Sequence, residues 1–291
     1  MDFLSTLISG LSLGSIYALI ALGYTMVYGI AKMLNFAHGD IIMVGAFAVV
    51  VSISTCGLPI WAALLVSIVV CTLLGVTAER VAYKPLRKAE PLTVLITAIG
   101  VSYLLQNVAL LIFGSSQKSF PSVFNISSIH IGELSMSGES VVTLVVTIVI
   151  MVSLSLFINK TRAGKAMRAV SEDKEAAELM GISVNKTISM TFAIGSALAA
   201  IAGVFFGATY GFIGPYSGSM PGIKAFVAAV FGGIGSIPGA MIGGILLGVL
   251  ESLSKAYIST ELSDAIVFAS LIIVLLVKPT GILGKVIKEK V

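Results

Sequence analysis

The sequence predicts an all-α fold, a polytopic transmembrane helical bundle of eight or nine spans, on three observations. Of 291 residues, 57% are hydrophobic and 11% charged, where a soluble domain carries about 25% charged residues. The apolar runs are continuous, as in Trp61–Gly75 and Val141–Ile158, unlike the alternating segments of roughly ten residues in an outer-membrane barrel. Finally, 14 of the 18 basic residues fall in three short polar segments, the asymmetry that marks cytoplasmic loops.

Those segments are 79–90 (Arg80, Lys84, Arg87, Lys88), 159–187 (Lys160, Arg162, Lys165, Arg168, Lys174, Lys186) and 278–291. A helix needs about 20 residues to cross a hydrocarbon core of ~30 Å. Spans are expected at 4–30, 40–56 and 60–78, setting the N-terminus outside and Lys32 inside. Met1-Asp2-Phe3 offers no basic leader region, so the first span is expected to be retained. Spans 92–113 and 140–158 follow, joined by the Ser-rich stretch Gly114–Glu139, which then faces outside. Between Ile188 and Val277 the crossings must be even in number, and four fit: 188–209, 223–235, 239–253 and 264–277. The middle two are short, so one is re-entrant or tilted. Residues 1–291 thus form a single transmembrane domain with a cytoplasmic loop at 159–187.

Two interruptions predict broken helices in inverted repeats. Asn35-Phe36-Ala37-His38-Gly39-Asp40 precedes one apolar run, and the glycine-proline stretch 232–239 precedes another. Backbone at membrane depth leaves the helix only where protein or a water-filled cavity satisfies its polar groups. Paired interruptions mark the pathway in repeat-built transporters, which makes Asn35, His38, Gly39, Gly235 and Gly239 the candidate pathway residues. Asp40 is expected to N-cap the second span, a contribution of about 0.5–2 kcal/mol. His38 either lines the pathway or packs, and Asn35 can satisfy backbone groups freed by the break. Thr97, Ser102, Gln106 and Asn107 give their span a polar side that faces either a pathway or a neighbouring helix. Glu251 reads as interfacial, and Gly243, Gly244 and Gly248 as helix-packing residues.

Other chemistries are disfavoured. No Gly-Lys-Ser/Thr follows the glycine run, so it is not a nucleotide-binding loop. His38 and His130 form no metal motif, and Cys56 and Cys71 read as small hydrophobes. An ion-coupled secondary transporter would want a buried carboxylate pair, and no carboxylate is expected well inside a span. The placement of the basic residues is accounted for by topology and calls for no nucleic acid.

The most informative segment is Ser171-Glu172-Asp173-Lys174-Glu175-Ala176-Ala177-Glu178-Leu179-Met180-Gly181-Ile182. It predicts a helix of about nine residues, capped by Ser171 and ended by a left-handed Gly181, whose apolar face, Ala176, Ala177 and Met180, seeks an external partner. Glu175-Ala176-Ala177 with Gly181 resembles the coupling loop of ATP-binding-cassette (ABC) importer permeases. The stretches Arg162–Val170, Gly23–Ile30, Asn35–Asp40 and Gly232–Ala240 extend the resemblance to the branched-chain amino-acid permeases of the LivH type. That resemblance implies a permease subunit in the bacterial inner membrane and no catalysis by this chain. It further implies two ATPase subunits carrying ATP and Mg, a second homologous permease and an extracytoplasmic solute-binding protein. Glu175, Ala176, Ala177, Met180 and Gly181 would couple to the ATPase. Related permeases handle urea or short amides, so the solute stays open between these and branched-chain amino acids.

Overall fold

The computed structural model describes residues 2–87, 89–123, 129–131 and 134–284. The chain opens with α1 (Asp2–Ala31), closed by Lys32 at a left-handed φ of 59°. After the non-helical segment 32–37 come α2 (His38–Ser54) and α3 (Ile60–Ala78), the latter prolonged by a π-turn (Glu79–Tyr83) and a 3-10 turn (Lys84–Leu86). α4 (Pro91–Phe113) begins on a proline, tolerated there because the first N–H of a helix has no intrahelical partner. Three short strands, β1 (Lys118–Ser119), β2 (Ile129–Ile131) and β3 (Leu134–Met136), lead to α5 (Gly138–Lys160). Two short helices, α6 (Arg162–Glu172) and α7 (Lys174–Leu179), precede α8 (Val184–Tyr210). Then follow β4 (Phe212–Ile213), α9 (Ser219–Gly232), α10 (Ile237–Tyr257) and α11 (Ser263–Val277). β1 pairs antiparallel with β4, and β2 with β3.

Among the described residues, nine apolar helices stand in the order the sequence predicts. Six are long enough to cross a membrane, while α2, α9 and α11 have 17, 14 and 15 residues. The expected short span 239–253 is instead a 21-residue helix, α10, so only α9 is shortened in that pair.

The packing is that of two inverted repeats, α1–α4 and α8–α11. α1 lies along α10 as α8 lies along α3, α1 meets α9 as α8 meets α2, and the α2–α3 and α2–α4 contacts recur as α9–α10 and α9–α11. α1 and α8 themselves pack together across the approximate axis. Lipid is as apolar as leucine, so the helices associate through close contact of small residues rather than through burial from water. A β-carbon at Gly14 of α1 would stand 2.7 Å from Ile245 Cα of α10, and one at Gly45 of α2 would stand 2.9 Å from Ala200 Cα of α8. Gly75 of α3 leaves no room between itself and Ser196 of α8. Large apolar side chains such as Trp61, Leu111 and Leu276 point away from the bundle, 76%, 86% and 80% exposed.

Hydrogen bonds fix which helix ends share a face. The Lys174 ammonium donates to the Ala31 carbonyl at 3.1 Å, and the Ser189 hydroxyl to Glu79 at 2.6 Å. Arg87 reaches both Glu79 and Asn185, and Ile282 N–H donates to the Phe231 carbonyl at 2.9 Å. The described parts of all three basic segments therefore meet on one face, which the positive-inside rule assigns to the cytoplasm. β1, β4 and the Phe120 N–H bond to Gly211 O, 2.9 Å, tie the opposite ends together. Lys285, Lys288 and Lys290 of the third basic segment lie outside the described residues. Single cysteines replacing exposed Lys84 or Arg162 are expected to react with an impermeant thiol reagent only after permeabilisation, and one replacing Ser137 in intact cells; the reverse pattern would overturn the orientation.

Candidate functional site

α2 and α9 both begin inside the bundle, and their first turns touch. A β-carbon at Gly39 would stand 2.5 Å from Gly218 O and 3.0 Å from Gly222 Cα; one at Gly222 would stand 2.8 Å from Gly39 Cα. From this contact α2 runs on for about 21 Å to one face and α9 for about 20 Å to the other, so the two half-helices meet near mid-depth. The matching breaks are thus 32–37 and 211–218. This corrects the sequence reading, which paired the first break with Gly232–Gly239. Those glycines make a tight α9–α10 turn at the cytoplasmic end, with Gly235 at φ 92° against Gly29 and a β-carbon at Gly239 only 2.5 Å from Gly232 O. Gly235 and Gly239 accordingly pack helices instead of lining a mid-depth break.

The other residues of the first break are positioned individually. Asn35 is buried and accepts from the Tyr83 hydroxyl at 2.8 Å, anchoring the break to the end of α3. His38 is buried against Gly23 and edge-on to Tyr24, ring centroids 4.8 Å apart, with Nε2 lacking a hydrogen-bond partner. Asp40 is not the cap of α2: Ala37 holds that position without a side-chain bond, and Asp40 sits one turn inside. Its carboxylate accepts from Gln106 Nε2 at 3.0 Å, and the same amide lies 3.0 Å from Ser219 Oγ and 3.2 Å from Ser102 Oγ. Gln106 and Ser102 therefore give α4 its inward polar side. Thr97 and Asn107 bond back to Thr93 O and Tyr103 O on the exposed face of α4. Around the Asp40 cluster is a cavity of about 530 Å³, walled by Tyr24, Phe36, Ile99, Tyr103, Ile223 and Phe226.

Glu251 is fully buried, not interfacial. It accepts from Lys224 at 2.8 Å, Lys255 at 2.6 Å and the Tyr17 hydroxyl at 2.8 Å, and Lys224 also pairs with Asp264 at 2.6 Å. With Asp40 this places two carboxylates inside the bundle, where the sequence reading expected none. The legible signal was a lone lysine and a lone glutamate in consecutive apolar runs, since such charges must pair.

On the cytoplasmic face, α6 buries Gly164, Met167 and Val170 and is capped by Thr161, whose Oγ1 accepts from Gly164 N at 3.0 Å. Ser171 completes α6, so it does not cap the next helix. Asp173 does, its Oδ1 accepting from Glu175 N and Ala176 N at 2.9 and 3.0 Å. α7 is thereby six residues long, shorter than expected. It ends in a Schellman motif: Ile182 N donates to Ala177 O and Gly181 N to Glu178 O, both at 2.9 Å, with Gly181 at φ 81°. Ala177 is 4% exposed and faces its own chain, which removes it from the expected docking face. Glu175 and Ala176 are exposed, and Leu179 and Met180 project at 89% and 82% exposure. Burial, then repulsion from Arg87 and Lys32, pushes Lys174 below the usual lysine range.

Inverted repeats around a pair of half-helices define a multi-pass membrane transporter. Comparison with known proteins narrows the class. Residues 6–275 match the family described as "Branched-chain amino acid transport system / permease component", and the chain belongs to that family. It is 48% identical over 301 aligned positions to the high-affinity branched-chain amino acid transport system permease protein LivH of Salmonella typhimurium, covering 99% of this chain and 98% of that one. It is 46% identical to BraD, the corresponding permease of Pseudomonas aeruginosa, over 99% and 98% of the two chains. It is 30% identical to a probable branched-chain amino acid transport permease protein LivH of Methanocaldococcus jannaschii, over 93% and 89%.

Two measurements check the site. Gly39→Val is expected to force the half-helices apart, lowering the thermal midpoint of the purified protein, whereas Gly100→Ala, with open space at its β-carbon, leaves it unchanged. Glu251→Gln is expected to lower the same midpoint, because it removes the countercharge of Lys255 and one of the two carboxylates that hold buried Lys224.

Proposed function

We propose that this permease is the membrane-spanning subunit of an ATP-driven importer of branched-chain amino acids in the bacterial inner membrane. Solute would arrive on an extracytoplasmic binding protein. Two ATPase subunits, holding ATP and Mg, would work on this chain and a second homologous permease. The observation that carries the reading is α7, a capped helix whose Leu179 and Met180 no described residue covers. Two exposed apolar side chains at a helix end suit a groove on a partner protein. Lys174, the first residue of α7, bonds the last residue of α1, so a pull on α7 reaches the first break directly. The relatives' amino-acid substrates favour that solute over urea or short amides.

Ala177 is buried, so a substitution there would disturb the fold as well as any docking. Leu179→Glu with Met180→Glu alters only exposed surface, and the double variant is expected to fold yet lose ATPase capture and solute-stimulated ATP hydrolysis in the reconstituted complex. Gly181→Val forces a β-branched residue into a left-handed position at a cost of roughly 1–2 kcal/mol and is expected to weaken the same two readouts. Full stimulation in both variants would show that α7 docks nothing.

A further inference from the structure

We propose that Asp40 is the intramembrane counter-ion for the α-ammonium of the amino acid in transit, with Ser219 and the first turn of α9 receiving its α-carboxylate. This rests on the reading of the protein as an amino-acid importer. Asp40 is 1% exposed, and among the described residues no basic side chain pairs with it, in contrast to Glu251 and Glu79. Its partners are neutral: the Gln106 amide at 3.0 Å and the Ser102 hydroxyl on the same helix face. A carboxylate in a bilayer-buried site is costly unless its charge is met. The first turn of α2 meets part of it, and a passing ammonium would meet the rest.

Ser219 supplies the complementary end. Its Oγ accepts from the Gln106 amide at 3.0 Å, which leaves its own proton to donate. It stands at the N-terminus of α9, a 14-residue helix whose positive dipole end favours an anion. Gln106 bridges the two poles, one amide facing three acceptors with two hydrogens, so one contact is free to yield to a ligand. The wall beside these groups, Ile99, Ile223 and Phe226, is apolar and accepts an aliphatic side chain. The cavity thus presents, in one place, a carboxylate, an anion-accepting helix end and an apolar wall, the three features of a zwitterionic aliphatic amino acid.

The test uses the complete importer reconstituted in proteoliposomes with its binding protein and labelled leucine. Asp40→Asn is expected to lower uptake at least tenfold in complexes that still assemble, with partial recovery in Asp40→Glu. Unchanged uptake in Asp40→Asn overturns the proposal. A second arm leaves Asp40 in place: in a Cys56→Ser background, Ile223→Cys is treated with cationic and anionic methanethiosulfonate reagents. With each rate divided by that of a free thiol in solution, reaction at least tenfold faster with the cation supports a negative cavity, and equal ratios overturn it. If the wild-type complex takes up no branched-chain amino acid, the functional reading fails, and the thiol arm alone then judges the charge of the cavity.

Discussion

The contact on which the rest of the structure depends is the meeting of the first turns of α2 and α9 at Gly39, Gly218 and Gly222. A helix that starts inside a bilayer leaves its first N–H groups without intrahelical partners and exposes a positive dipole end. Two such ends facing each other would repel and remain unsatisfied in lipid. Three glycines let the backbones approach, Asp40 sets a negative group in the first turn of one helix, and Ser219 opens the other. The surrounding helices then have to enclose this point. Their inverted pairing, α1 with α10 and α8 with α3, does so from both sides.

Two of the buried carboxylates, Glu251 and Asp40, show opposite solutions to one energetic problem. Glu251 is neutralised within the fold by two lysines and a tyrosine, and Lys224 is shared with Asp264, so that cluster is internally closed. It joins α1, α9, α10 and α11 and so braces the second repeat. Asp40 is held only by neutral donors beside a cavity. A charge closed by its own chain suits a structural role, whereas one left open to a cavity suits a visiting ligand.

The loop 159–187 is a separate element built on the same scaffold. α6 is seated by Met167 and Val170, and α7 is fastened at both ends, by the Asp173 cap and the Schellman motif at Gly181. Ala177 and Lys174 hold it to the bundle, and Leu179 and Met180 stay free. The Lys174 bond ends on Ala31, immediately before the break that leads to Asp40. The loop and the cavity are therefore neighbours through α1 although they lie at different depths.

The sequence by itself determined the bundle, its eight or nine apolar spans, the gathering of its basic loops on one face and the left-handed end at Gly181. Hydrocarbon thickness, loop charge and the missing β-carbon of glycine are local constraints, readable one segment at a time. The first break at Asn35–Asp40 was legible for the same reason. Its partner was not read, although the segment 211–218 also carries three glycines and Pro215, because it becomes a mid-membrane break only when Gly218 is set against Gly39. The glycine-proline run at 232–239 looked more irregular and was instead a turn. The capping of α7 by Asp173 instead of Ser171, the inward face of Ala177, and the partners of Asp40 and Glu251 were likewise decided by the tertiary structure. Each depends on which helix stands beside the residue, and the Lys224–Glu251 and Asp40–Gln106 pairs join positions 27 and 66 residues apart. Periodicity along one helix carries no information about such a neighbour.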